Sequence, residues 1–344
     1  MSESLFTKVA AMILPPAFQR YFLNRVRELS ALYQSGIIQR DPDMDALVAR
    51  GGQLIDLPFF NDLTDEDQVL DDNTDLTVGA ITTGQDKARL LARVGVFGAT
   101  DLSAALSGED PLAAIADLFA QWWVRREQRI LMSVLNGVFA SNVQNNDSDL
   151  ILDVSAESGN AGRLTLENIL NGAQLLGDNK GIFTAMCMHS ACETILNTQY
   201  GGVTFTPSEK PGILYDFNGK SVIMDDLMPY NPVTKEATIY LFGQGAVASG
   251  EGRVPVPFET NREPLKQGGR SYLVQRRAFI MHVRGVKWRE AVCEKQHPTN
   301  TELENHLNWL RVYEKKAIRV VKLVVRAEKA VPETIYVQSA PSET

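Results

Sequence analysis

Between Gly51 and Asp86 the chain carries no lysine or arginine, and seven carboxylates, Asp62, Asp65, Glu66, Asp67, Asp71, Asp72 and Asp75, fall within fourteen residues. An alternating apolar run leads in at Gln53–Phe59 and another leads out at Ala88–Phe97, the period-two pattern of strands. Two strands flanking a long acidic tip predict a projecting hairpin arm. An isolated two-stranded hairpin is marginal in water at best. Carboxylates packed so densely repel one another unless solvated or matched by cations. Such an arm needs a surface to lie on, which points to a protein that grips copies of itself.

The rest of the chain can supply that surface. Its 344 residues suggest about two domains, and 44% hydrophobic residues are enough for a real core. The net charge of −8 gives no general attraction to nucleic acid, so a DNA-binding surface would have to be local. Three cysteines, Cys187, Cys192 and Cys293, have no framework spacing and read as free thiols made in a reducing compartment. Glu3 and the absence of a long apolar run before Pro15-Pro16 argue against a signal peptide. No stretch reaches the roughly 18 apolar residues of a membrane helix. The expected site of synthesis is the cytosol.

Ala17–Leu32 places Phe18, Tyr21, Phe22, Val26, Leu29 and Leu32 near helical spacing, with Arg20, Arg25 and Arg27 making the segment basic. Asp110-Pro111 opens the clearest helix, with a capping residue followed by proline in the first turn. Its apolar stripes run through Leu112, Ile115, Phe119 and Trp122, and through Trp123, Ile130, Val134 and Val138. Arg125, Arg126 and Arg129 interrupt them with a cationic band. The helix is predicted to span about 45 Å at 1.5 Å per residue, before a polar boundary loop at Asn142–Asp149. The neighbouring Trp122 and Trp123 point about 100° apart. One reading sends one ring beneath the following domain and the other to the arm or sheet; both rings in the core is the alternative.

Thr165–Leu176 reads as an amphipathic helix ended by Gly177, Ile182–Met188 as a buried strand, and Ser190 with Glu193 as a capping box opening Ala191–Thr198. Lys220–Asp225, Thr238–Phe242, Leu273–Val283, Val286–Trp288 and Ile318–Val325 read as strands, and Thr301–Arg311 as a short helix or turn. Helices and strands alternate irregularly, which predicts an α+β class. A second cationic cluster includes Arg311, Lys315, Lys316, Arg319, Lys322, Arg326 and Lys329. Residues 331–344 read as a loose tail.

Chemical motifs fail on inspection. Asn218-Gly-Lys-Ser221 lacks the earlier glycine of a phosphate loop and begins a strand where a helix is needed. Gly243-Gln-Gly245 is followed by Val254-Pro-Val-Pro257, so no helix can offer its positive end to a pyrophosphate. Asp71, Asn73 and Asp75 have calcium-loop spacing, but Leu76 and Thr82 replace the turn glycine and the bidentate acid. Cys187, His189 and Cys192 lack a second ligand pair. Glu302 and His306 are helix-spaced without a third partner. No nucleophile elbow and no His-Glu-x-x-His occurs. No catalytic residue, cofactor or metal is expected.

Four places carry a resemblance. They are the order of arm, hairpin and long helix; Ala185-Met-Cys-Met-His-Ser190 before a helix; Phe217-Asn-Gly-Lys-Ser-Val-Ile-Met-Asp-Asp-Leu-Met-Pro229 with Gly245-Ala246; and Arg276-Arg-Ala-Phe-Ile-Met-His-Val-Arg-Gly285 with Pro298-Thr-Asn300 and Asn308-Trp309. Together they resemble the major capsid proteins of tailed bacteriophages, with the Hong Kong-type capsid fold. Val283 departs from the proline that often follows the histidine.

The resemblance implies residues 1–50 as an N-terminal arm and 51–97 as an extended hairpin loop. It implies 98–141 as peripheral domain with the spine helix, 142–284 as axial domain, 285–330 as peripheral closing strands and 331–344 as tail. It implies self-assembly into hexamers and pentamers of an icosahedral head enclosing double-stranded DNA, in a virion assembled in the host bacterial cytoplasm. A scaffolding protein or cleaved precursor, a portal and a decoration protein are implied partners. A prokaryotic nanocompartment shell of the same fold, or an enzyme without a recognisable site, stand as alternatives. The charge pattern adds one expectation: the acidic loop lies on cations of an adjacent subunit, either Arg125, Arg126 and Arg129 or Lys315, Lys316 and Arg319.

Overall fold

The computed structural model describes residues 31–49, 52–61, 67, 78, 80–101, 111–201, 205–208, 215–252, 254–266 and 269–331. The expected helix over 17–32 and the tail beyond 331 lie almost wholly outside them. In chain order the elements are α1 (Ala31–Gln34), β1 (Ile38–Arg40), α2 (Pro42–Ala49), β2 (Leu54–Phe60), β3 (Thr83–Thr100), α3 (Pro111–Asn145), β4 (Ile151–Asp153), α4 (Leu166–Gln174), β5 (Phe183–Met188), α5 (Ser190–Tyr200), β6 (Phe205–Pro207), β7 (Tyr215–Phe217), β8 (Lys220–Met224), β9 (Glu236–Gly243), β10 (Val247–Glu251), β11 (Phe258–Glu263), β12 (Arg270–Val283), β13 (Val286–Trp288), α6 (Asn300–Glu304), β14 (Trp309–Arg311) and β15 (Val320–Arg326).

The described residues form a two-stranded sheet, β13-β14, and two large ones. One runs β1-β10-β12-β3-β2, with β11 also paired to β12. The other runs β4-β15-β9-β5-β8-β7-β6. The class is α+β. The second sheet cuts across the divisions expected along the chain. β15, expected among peripheral closing strands, pairs antiparallel with β9 and parallel with β4. Its Val320, Val321, Leu323, Val324 and Val325 are buried, so the strand is satisfied only inside a sheet covered on both faces.

The spine helix α3 is longer than its sequence signals suggest. It passes the expected boundary at Asn142 and ends at Asn145; its 35 residues span about 52 Å. Asn142 is buried in the last turn, where its side chain accepts from Leu150 N at 3.3 Å and donates to Asp149 Oδ1 at 2.8 Å. The polar run therefore closes the helix from within. Glycine lets α3 pack closely: a Cβ at Gly137 would lie 2.0 Å from the Leu303 carbonyl oxygen and 2.5 Å from Trp309 Nε1.

Trp123 is fully buried and donates from Nε1 to Gln275 Oε1 of β12 at 2.6 Å. Trp122 is half-buried and meets Phe97 of β3 edge-on at 5.3 Å. Both indoles face the same sheet, which goes against the reading that sends one beneath the following domain and favours the alternative: Trp123 lies in the core and Trp122 packs against it. The Trp122 ring meets β3 and the Trp123 ring bonds β12, two adjacent strands of that sheet.

Candidate assembly surfaces

β3 is one strand with two partners. Thr83–Arg89 pairs with β2, in register Phe60↔Thr83 to Leu54↔Arg89. Leu90–Thr100 pairs with β12, from Ile280↔Leu90 to Arg270↔Thr100. The expected hairpin is thus a direct extension of a core strand, three residues longer at its end than the expected Phe97, and it has no linker at its root.

That root is heavily bonded. The Asp86 carboxylate is buried, accepts from Gly285 N at 3.0 Å and Lys87 N at 2.8 Å, and meets His282 Nε2 at 2.9 Å. Burial opposes its charge, but His282 and the two backbone donors outweigh burial and hold the carboxyl below its ordinary range. Gly285 turns with φ +86° beside the Tyr313 ring, where a Cβ would meet the ring at 2.6 Å. Arg89, also buried, donates to the Gln296 carbonyl at 2.7 Å and pairs with Glu290 at 3.0 Å. Arg93 donates to the Pro298 carbonyl at 2.6 Å. Segment 290–300 is therefore a strap over the arm's base.

The strap is fixed in turn by a capping box, in which Thr299 and Glu302 bond reciprocally. Backbone donors Thr299 and Glu294 hold the Glu302 carboxyl down at about 2. The Pro298-Thr-Asn300 motif is thus structural.

Beyond the root, support falls away. Asn61 N donates to the Thr82 carbonyl at 2.9 Å, and its side chain to Thr82 Oγ1. Phe60 is 71% exposed, Ile81 56% and Val78 96%. Asp67 is exposed and pairs with no cation among the described residues. Asp62, Asp65, Glu66, Asp71, Asp72 and Asp75 lie outside the described residues.

The two expected acceptor surfaces differ. Arg125, Arg126 and Arg129 are all exposed on α3. Arg125 and Arg129 stand four residues apart, hence on one face, and make no ion pair among the described residues. Arg126 lies over the Trp122 ring at 5.3 Å. At the other surface, Lys316 is paired with Asp178 at 2.7 Å and Arg319 donates to the Gln244 carbonyl at 2.9 Å, while Lys315 is half-exposed. The spine arginines are the freer set.

The His189 and Asp225-Asp226 motifs come together because β5 and β8 run parallel in register Met188↔Met224. Asp225 N donates to the Met188 carbonyl at 3.0 Å. His189, not Ser190, caps α5: its Nδ1 accepts from Ala191 N at 3.0 Å, and Ser190 N donates to Asp226 Oδ1 at 3.3 Å. This corrects the Ser190–Glu193 capping box. Asp226 occupies the donor that such a box would use, and Glu193 turns to Thr194 and Asn197.

Sequence reading missed the buried charges altogether. Asp86, Arg89, Glu127, Arg277 and His282 are all buried, and the contact between Glu127 and Arg277 spans 150 positions. The one available signal was charge at strand and helix positions whose neighbours are apolar. No group of three or more potential metal ligands occurs among the described residues, and no helix there is long and apolar enough to cross a membrane.

Residues 63–318 match the model of the Gp13-like family, described as major capsid protein 13-like. The major capsid protein of Bacillus phage SPP1 is 38% identical over 329 residues, spanning 94% of this chain and 99% of that protein. The fold is similar to that in the capsid of Ralstonia phage GP4, with TM-score 0.57 and 10% identity over 89% of this chain and 91% of that one. It is also similar to the cyanophage Pam1 capsid, with TM-score 0.55 and 11% identity over 88% and 92%.

Proposed function

The chain belongs to the Gp13-like family of major capsid proteins, and from that premise we propose how its arm builds the shell. The protein is a structural, non-enzymatic component of a phage virion; copies of it form the capsid. The braced arm reaches an adjacent subunit, where its acidic loop meets the spine arginines Arg125, Arg126 and Arg129. The carrying observation is the contrast along the arm: its root is buried and bonded, whereas Phe60, Ile81 and Val78 beyond it are exposed apolar side chains. Lys315, Lys316 and Arg319 form the second-ranked acceptor, because Lys316 and Arg319 already have partners.

Complementary charge here sets register and rejects wrong pairings more than it adds affinity. The seven-stranded sheet would surround the capsomer axis, with the arm-bearing sheet and spine at its periphery. Hexamers and pentamers would close an icosahedral head around double-stranded DNA. A scaffolding protein and a portal are proposed partners, with a decoration protein as a third.

The test replaces Asp65, Glu66 and Asp67 together by Ala and measures shell yield by electron microscopy and sedimentation at low and high salt. The expected result is fewer closed shells at low salt and a smaller difference at high salt, where charge is screened. Equal yields at both would reject the charge pairing.

A further inference from the structure

Where α1, α3, β10 and β12 meet, two carboxylates share one guanidinium. Arg277 donates from Nε and Nη2 to Glu251 at 3.1 and 2.9 Å, and from Nη1 to Glu127 at 2.5 Å. The side chains of Arg277, Glu127 and Glu251 are 4%, 5% and 12% exposed. The guanidinium also lies over the Trp123 and Phe279 rings, at 5.0 and 5.2 Å. Tyr33 of α1 completes the cluster on the N-terminal side. Outside it, Asp45 accepts from Glu251 N at 2.8 Å and pairs with Arg40.

Fully ionised, this group would hold a net negative charge in the interior. We propose that Glu127 keeps a proton in the assembled protein and that losing it loosens the junction of spine helix, arm-bearing sheet and N-terminal segment, so that the cluster is a base-sensitive latch.

The geometry separates the two acids. Glu251 takes two guanidinium bonds, as an ionised carboxylate does. Glu127 takes one, and its buried Oε2 has no hydrogen-bond partner of good geometry among the described residues. An uncompensated charge there is costly. Burial pushes the Glu127 carboxyl up, outweighing the Arg277 charge and the weaker hydrogen bonds from Arg277 and the Tyr33 hydroxyl that oppose it, and Glu251 adds to the rise. Burial also pushes Tyr33 far above its ordinary range, so the phenol stays neutral and brings no charge of its own. One proton on Glu127 leaves Arg277 and Glu251 as a balanced pair; on release the proton goes to solvent and the surplus charge stays buried.

The direction follows from linkage. A carboxyl raised by folding stabilises fully below its ordinary range, and that contribution is lost as pH rises to the raised value. The experiment follows thermal unfolding of assembled wild-type and Glu127→Gln shells from about pH 5 to about pH 9, together with hydrogen exchange at Ile38–Arg40 corrected for intrinsic base catalysis. In wild type, protection there should fall by up to about tenfold per pH unit between the ordinary and the raised value. Glu127→Gln should lack that component. Equal pH slopes in the two proteins would overturn the latch. Infrared spectroscopy of wild type gives an independent reading should the variant not fold. A protonated-carboxyl band persisting above the ordinary carboxylate range supports the latch, and its absence overturns it.

Discussion

In the seven-stranded sheet the central strands β15, β9 and β5 bury Val321, Leu323, Ile239, Leu241, Ala185 and Met186. The arm-bearing sheet and the helix on it bury Asp86, Arg89, Glu127, Arg277 and His282 as well as apolar groups. Every buried Asp, Glu, Arg and His among the described residues is on that side. Apolar burial is non-directional and tolerates small shifts. A buried charge is stable only where its partners stand in place, and removing one leaves the other exposed to the full desolvation cost. The sheet that carries the arm is therefore the one held by directional contacts, and it is the one that should respond to pH.

The sharpest way to break this contrast is Arg277→Met. Glu251 would lose its counter-ion and Glu127 a hydrogen-bond donor, and the expected loss is about 3–5 kcal/mol. Urea unfolding of the purified protein, together with soluble yield, reads it. Retention of near wild-type stability would mean that the cluster is dispensable to the sheet.

Leu323→Ala tests the other side. The residue is fully buried in β15, and truncation should cost about 2–5 kcal/mol. That loss should be the same at about pH 5 and about pH 9, because no ionisable group is uncovered. A pH-dependent loss would erase the distinction between the sheets.

Asp86→Asn sharpens the contrast at the arm's root. An amide oxygen still accepts one backbone donor, but the charge opposite His282 is gone, and the expected cost near neutral pH is about 1–3 kcal/mol. The sign is opposite to that at Glu127. Folding lowers the Asp86 carboxyl, so its contribution is present above the ordinary carboxylate value and fades as pH falls below about 4. Wild type and variant should therefore converge in acid, as read by exchange at the Gly285 and Lys87 amides. Divergence in acid would contradict the assigned charge.

These residues also mark how far the sequence could be read. The hairpin strands, the spine helix and β15 were legible because each repeats one period over many residues. The sheet's β10 was not: Val247-Ala-Ser-Gly-Glu251 is a short run of mostly small residues with no apolar alternation. Its smallness has a cause in a distant element, since a Cβ at Gly250 would lie 3.0 Å from Met44 Cβ of α2. Arg125, Arg126 and Arg129 were legible as an exposed cationic band, whereas Arg277 read as one more basic residue in a strand. Which charge is buried, and against what, is decided by pairings across some 150 positions. Local pattern does not encode such a separation.

Glu259→Gln is the smallest of these tests and the most diagnostic of mechanism. Arg276 and Glu259 join β12 to β11 at 2.8 Å, but their side chains are 40% and 49% exposed. They lie in the same sheet as Arg277, one residue away along β12, so chain position and strand pairing are nearly held constant while burial changes. If burial gives the charges their weight, water and side-chain entropy should cancel most of this pair's attraction, and its removal should cost at most about 1 kcal/mol. Raising salt should shrink even that. A loss comparable with that of Arg277→Met would show that pairing, rather than burial, carries the energy of this sheet, and urea midpoints measured side by side at two salt concentrations distinguish the two.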